Sequence, residues 1–289
     1  MKTFIVPIDF SDESMTGLEL ALMLANKNNA NVQMVHVITS FTNIERGSLE
    51  NEHEQVKKKF EGLIQKYKSR TSENVSLEYI VKEGRVFKEV TNQAESFENS
   101  VLVLSTHGGS GLEELFIGSN AYRIAAATSK PVITIRSFQT VKTIKKIVLS
   151  LDITEQTKEK VPYTVKLAKI FNSEIHLVTL RSSNLKSIEK KLNRSSEQVG
   201  EFLKNHDVQF TVNHLQGNNF TDLTLDYAKS VNADLISIMT EQEKNASNLL
   251  LGNFAHQMIN KSLIPVLSFP THHIGKILDN LRTQGIYYY

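Results

Sequence analysis

Phe4-Ile5-Val6-Pro7-Ile8-Asp9 is a short apolar run that ends on a carboxylate, followed by Ser11 and a helical pattern through Leu24. Ile147-Val148-Leu149-Ser150-Leu151-Asp152 repeats it, followed by Thr154 and a helical pattern through Ile170. Further landmarks recur in the same order: Val101-Leu102-Val103-Leu104 is answered by Leu235-Ile236-Ser237-Ile238, and Gly118-Ser119 by Gly252-Asn253. Pro131-Val132-Ile133 is answered by Pro265-Val266-Leu267, and 13 residues separate Gly118 from Pro131 and Gly252 from Pro265 alike. Matched landmarks in one order are the mark of an internal repeat. The chain reads as a tandem duplication joined between Phe138 and Thr143, with domains at 1–140 and 141–289.

Each half alternates strands and helices. In the first, strands are expected near 3–9, 32–38, 76–82, 101–105 and 131–136, and helices near 12–27, 49–68, 86–97 and 119–128. In the second, strands are expected near 145–152, 173–181, 207–214, 234–239 and 265–269, and helices near 155–171, 187–205, 220–230 and 253–262. Ser11 and Thr154 suit N-caps, because a hydroxyl accepts from the free amides of a first helical turn. Runs such as Val132-Ile133-Thr134-Ile135 lack period-two alternation, as strands covered on both faces do. The implied class is α/β: two doubly wound parallel-sheet domains in tandem. Pro7 must then lie near its strand's end, since proline removes a ladder donor. The tail from Thr271 to Tyr289 is left open between a docked helix and a loose end.

Composition narrows the function. The chain has 289 residues, 33 basic and 31 acidic, and a formal net charge of +2, which argues against a large basic nucleic-acid surface. With no cysteine there is no thiol nucleophile and no cysteine-ligated metal, and the composition fits a cytoplasmic protein. No run approaches the roughly 18 apolar residues of a membrane span, and Asp9 interrupts the apolar start expected of a signal peptide.

Ligands of an open parallel sheet bind beyond the carboxyl ends of the strands, where strand order reverses. That edge receives Asp9, Val37 and the stretch Ser105-Thr106-His107-Gly108-Gly109-Ser110-Gly111, with Gly118-Ser119 opening the next helix. Glycines admit an anion close to the backbone, and free amides at a helix start attract negative charge, so this is a candidate phosphate cradle. A surface loop whose glycines serve only turns is the alternative. Neither G-x-x-x-x-G-K-[ST] nor a G-x-G-x-x-G after the first strand occurs, against a P-loop NTPase or a Rossmann dehydrogenase.

Pro7-Ile8-Asp9-Phe10-Ser11, with Gly108, nine residues, then Gly118-Ser119, resembles the universal stress protein family, whose nucleotide-binding members carry G-x-x-G, nine residues, G-[ST]. Ser129-Lys130-Pro131-Val132 is also similar, and the resemblance spans roughly 1–137 and 144–270. It implies ATP or another adenine nucleotide as ligand, with Mg2+, and a regulatory or sensing role in the stress response. By resemblance Asp9 bonds the ribose or adenine, Pro7 and Val37 line the base pocket, and Ser105 and Gly108 face phosphates and ribose. Gly118, Ser119 and Asn120 would hold phosphate oxygens. It also implies pairing of the two halves through their fifth strands, or a homodimer. Ser105 stands where the motif has its first glycine, a departure at a close approach to ligand.

The second half departs further. Gln242 stands for Gly108, Glu241 for His107 and Met239 for Ser105, and the loop expected at 241–245 has no glycine and two carboxylates, which would repel a triphosphate. No ATP is expected there. His107 is read as a loop-orienting residue, His272-His273 and Tyr287-Tyr288-Tyr289 as solvated tail, and Lys57-Lys58-Lys59 as a helix face. Two other readings stay open: an interaction protein that binds no nucleotide, and an enzyme of ATP chemistry. The second has no paired acid, base and nucleophile to support it.

Overall fold

The computed structural model describes residues 1–39, 46–106, 119–137, 139–240, 242–245 and 248–271. The chain divides at Lys142–Thr143 into two compact units, apart from Ser129–Pro131, which groups with the second.

The first unit runs β1 (Thr3–Pro7), α1 (Asp12–Asn28), β2 (Asn31–Ile38), α2 (Arg46–Tyr67), β3 (Leu77–Glu83), α3 (Val86–Glu95), β4 (Ser100–Thr106), α4 (Ser119–Ala127) and β5 (Val132–Arg136). Its strands lie in the order β3-β2-β1-β4-β5, and each neighbouring pair is parallel. The order reverses between β1 and β4, so a crevice opens beyond their carboxyl ends. Pro7 is the last residue of β1, and ladder bonding resumes at once as the Ile8 amide donates to the Val35 carbonyl at 2.8 Å. Phe4, Ile5, Leu102 and Val103 are wholly buried, which explains why these strands read as unbroken apolar runs.

Helix α1 exists because Leu18, Ala21, Leu22 and Ala25 recur at helical spacing and bury one stripe against the sheet. Ser11 caps it, accepting from the Ser14 amide at 3.2 Å. Asn29 ends it in the left-handed region at φ 48°, its amide bonded to the Ala25 carbonyl.

The second unit runs β6 (Lys146–Leu151), α5 (Val161–Phe171), β7 (Glu174–Arg181), α6 (Lys186–Asn205), β8 (Phe210–Gln216), α7 (Phe220–Ser230), β9 (Leu235–Thr240), β10 (Gln242–Asn245), β11 (Asn248–Leu251), α8 (Asn253–Lys261) and β12 (Val266–Pro270). Its parallel strands follow the order β8-β7-β6-β9-β12, the same winding as in the first unit. Asn172 closes α5 as Asn29 closes α1, with φ 51°.

Three expectations are corrected. The helix expected from Glu155 begins only at Val161, after a 3-10 turn at Glu155–Lys158. Thr154 is no side-chain cap: like Ser11 it donates its hydroxyl to the preceding aspartate, but it accepts from no first-turn amide. Pro162 then supplies the fixed φ of a helix start, in the first turn of α5. Of the stretch expected as a loop at 241–245, Gln242–Asn245 is instead one arm of an antiparallel hairpin, with Gln242 opposite Leu251 and Asn245 opposite Asn248, and Glu241 lies outside the described residues. Gln242-Glu243-Lys244-Asn245 has neither glycine nor proline, but Glu, Lys and Asn are not strand formers, so its extension goes with the pairing to Asn248–Leu251 and not with its own propensity.

Candidate functional site

At the reversal point of the first unit lies an open cavity of about 380 Å³. That is within the roughly 300–1,000 Å³ of sites that enclose small organic ligands. Pro7, Ile8 and Asp9 supply the wall from the end of β1, Val35, His36 and Val37 the wall from β2, and Leu104 and Ser105 the wall from β4. Ser11, Glu13 and Ser14 enter from the start of α1, and Ser119, Asn120, Ala121 and Ile124 from α4. Of the residues singled out in sequence, Pro7, Asp9, Val37, Ser105, Ser119 and Asn120 thus share one cavity. Gly108 and Gly118, with His107, lie outside the described residues, as do His272, His273 and Tyr287 to Tyr289.

Asp9 lies at the exposed mouth of the site, where a tight turn folds its carboxylate onto Ser11. The Ser11 amide donates to Asp9 Oδ1 at 3.0 Å, and the Ser11 hydroxyl donates to the same oxygen. Partial desolvation raises the Asp9 carboxyl, but the bonds from Ser11 and Ser14 outweigh it and hold the group below its ordinary value of 3.8. The turn places Phe10 at φ 66°, a conformation that costs a bulky residue about 1 kcal/mol or more. The Phe10 ring repays part of that by packing on His36 and Phe60, at centroid separations of 5.1 and 4.9 Å, under the Lys59 ammonium.

On the opposite wall, Ser105 Oγ is buried and has no hydrogen-bond partner among the described residues. A buried hydroxyl left so costs about 1–3 kcal/mol, and a ligand acceptor or donor in the cavity would relieve it. Ser119 and Asn120 are exposed at the first turn of α4, whose leading amides have no partners within the helix. One anion-friendly edge, one acidic edge and an apolar lining between them suit a ligand with a phosphate, hydroxyls and a flat base. Among the described residues no group of three or more His, Asp or Glu is placed to hold a metal ion.

Sequence reasoning missed His36, Val35 and Val86 in this lining. His36 Nδ1 lies 2.7 Å from the Ile8 carbonyl, so that nitrogen carries the proton and the ring is locked across the end of β1. Its signal was available, since a histidine inside a buried strand needs a polar partner. The exposed Lys57, Lys58 and Lys59 flank the buried Val56 and Phe60, as a solvated helix face does.

In the second unit Asp152 repeats the turn of Asp9, its Oδ1 accepting from the Thr154 amide at 2.7 Å and from the Thr154 hydroxyl. Met239 takes the place of Ser105 and is 8% exposed. The hairpin of β10 and β11 follows β9, where the first half carries its glycines.

Comparison with known proteins agrees in outline. The model of the universal stress protein family matches twice, at residues 1–136 and 143–270. The universal stress protein YxiE of Bacillus subtilis is 27% identical over 143 residues, covering 46% of this chain and 97% of that protein. A universal stress protein of Methanocaldococcus jannaschii is 27% identical over 139 residues, covering 47% of this chain and 82% of the relative. The crystal structure of a universal stress protein from Archaeoglobus fulgidus superposes with a TM-score of 0.76 at 16% identity, covering 93% of this chain and 98% of that one. A putative universal stress protein from Pseudomonas aeruginosa superposes with a TM-score of 0.68 at 14% identity, covering 98% of each chain. No described helix is long and apolar enough to cross a membrane.

Proposed function

Because the chain belongs to the universal stress protein family, as a tandem member, we propose that its first unit binds an adenine nucleotide, ATP foremost, and that occupancy is the signal it passes on in a regulatory role. The observation that carries this reading is the pairing, across one cavity, of the unpartnered Ser105 hydroxyl with the ordered Asp9 turn. Asp9 accepts from ribose or adenine, because Ser11 holds its carboxylate ionised and fixed in direction. Pro7 and Val37 flank the base, while Ser105, Ser119 and Asn120 meet phosphate oxygens together with Gly108 and Gly118. Among the described residues the site brings together no nucleophile–base pair, and the reading is accordingly a sensor in preference to an enzyme.

The test is direct. Freshly purified protein is denatured, any released nucleotide is identified by mass spectrometry, and the stripped protein is titrated with ATP by calorimetry. Micromolar binding is expected, lost in Asp9→Asn and Gly118→Glu and kept in Gly252→Glu. No heat at millimolar ATP would overturn the proposal in favour of an interaction protein, and steady ADP release under saturation would favour an enzyme.

A further inference from the structure

The second unit carries a charged residue where the first has none. Lys160 follows Gly17 by 143 positions, the interval that separates Asp9 from Asp152, Ser11 from Thr154 and the left-handed caps Asn29 and Asn172. The Lys160 side chain is 1% exposed. Its ammonium donates to the Thr157 carbonyl at 2.6 Å and to Thr157 Oγ1 at 3.1 Å. That hydroxyl also accepts from the Asp152 amide at 3.2 Å. Thr157 and Asp152 match Ser14 and Asp9, which both line the cavity of the first unit.

The corresponding space in the first unit starts from Gly17. A Cβ there would lie 3.4 Å from the Ser105 amide nitrogen and 3.7 Å from Ser105 Cβ, an ordinary contact against a residue of the cavity wall. Methyl-sized substitution is therefore tolerated, and a longer chain has the cavity wall to follow.

We infer that Lys160 is an internal occupant of the second unit's reversal-point site, and that Gly17 is the residue that leaves the first site open to an outside ligand. The consequence rests on the nucleotide reading above: one nucleotide per chain, with the second unit closed by its own ammonium as well as by the loss of its glycine loop. Lys160 ties down the threonine and steadies the acid whose counterparts would otherwise meet a ligand.

The experiment transplants the lysine. In the full chain, Gly17→Lys is expected to lower ATP affinity about 100-fold or more, the scale of a filled site with displaced hydrogen bonds, while Gly17→Ala stays within about 3-fold of wild type. Mild reductive methylation followed by peptide mass spectrometry should leave Lys160 unmodified in the folded chain, and the lysine grafted by Gly17→Lys likewise. A grafted lysine that labels freely, or one that leaves ATP binding intact, overturns the inference. An arm independent of nucleotide and of the graft uses Lys160→Ala: at pH 9, millimolar butylamine should raise its melting temperature by several degrees and leave wild type unmoved. Equal shifts in the two proteins overturn the inference. Wild type that binds no ATP sinks the nucleotide reading alone, and the labelling and butylamine results then decide this one.

Discussion

Replacing Lys160 by methionine should make the second unit more stable at neutral pH, and the gain should vanish by about pH 9. Burial pushes the Lys160 amine from 10.5 down to about 7, with the Asp152 and Glu159 carboxylates pulling part of the way back. The sign follows from linkage. Between the folded and unfolded values the unfolded chain binds more protons, so stability rises with pH across that window. A gap of this size corresponds to a cost of ~5 kcal/mol when the amine is fully charged, ~4 kcal/mol at pH 7 and ~2 kcal/mol at pH 9. Methionine keeps much of the stem's bulk and removes the charge, but it abandons the bonds to the Thr157 carbonyl and hydroxyl. Those bonds and the unpaired groups left behind take back about 1–3 kcal/mol at every pH. The expected balance is a gain of ~2 kcal/mol at pH 7 and parity near pH 9. Urea melts followed by far-UV circular dichroism, run on both proteins at pH 7, 8 and 9, give the difference in the transition of the second unit. A difference that stays constant across those three values would refute the argument, whatever its size, because only a buried titrating amine makes it change.

Other outcomes follow from the same structure. Ser11→Ala should cost about 1 kcal/mol through the lost cap, and carbon-detected NMR should show the Asp9 carboxyl, held low in wild type, moving upward. Because that group is depressed on folding, its contribution is present above its unfolded value and is lost as pH falls through the folded one. Ser105→Ala should weaken ATP binding about 10-fold and leave the empty protein as stable as wild type or slightly more so, since an orphaned hydroxyl is removed; loss of stability with unchanged affinity would contradict the role given to Ser105. Tyr67 donates to Glu19 at 3.1 Å, and its phenol is pushed up to about 12, chiefly by burial and then by that carboxylate, so Tyr67→Phe should remove one late component from the ultraviolet titration. Thr164→Val should cost about 1–3 kcal/mol in a thermal melt, because the buried hydroxyl bridges Ser237 Oγ at 2.8 Å and the Lys160 carbonyl at 2.9 Å.

The repeat was legible because buried parallel strands and their capped helices leave strong local marks. Phe4 to Asp9 and Ile147 to Asp152 announce the same strand-and-turn in each half. The late start of α5 was not legible, because Thr154 and Ser11 are alike by residue type and both donate to the preceding aspartate, yet only Ser11 also accepts from a first-turn amide. The hairpin at β10 and β11 was missed because alignment to the glycine loop of the first half imposes a loop, and nothing in Gln242-Glu243-Lys244-Asn245 itself favours a strand; only the pairing with Asn248–Leu251 does. Within the site, Asp9 and Ser105 could be read from position along the strands and Ser119 from its place at a helix start, since the carboxyl edge of a doubly wound sheet is where they must fall. Gly17 could not be read this way, and His36 gave only the signal of a strand histidine in need of a polar partner. His36 matters through a carbonyl 28 residues away, and Gly17 through an absent side chain whose meaning shows only beside Lys160.

That last comparison bears on how a duplicated fold divides its labour. Beside the exchange of Ser105 for Met239, two larger changes separate the units at the reversal point, and they act on different parts of a ligand. The hairpin replaces the backbone that would meet phosphate, whereas Lys160 occupies the space beside the acid that would meet the sugar or base. Undoing one leaves the other, so Lys160→Gly alone should create no second ATP site, and glycines grafted into 241–245 alone should create none either. The energies of the two reversals are therefore expected to be strongly non-additive toward ATP while remaining nearly additive toward urea, because only the ligand reads both at once. A calorimetric stoichiometry of two in either single reversal would show that one barrier is enough, and that the other is a bystander of drift.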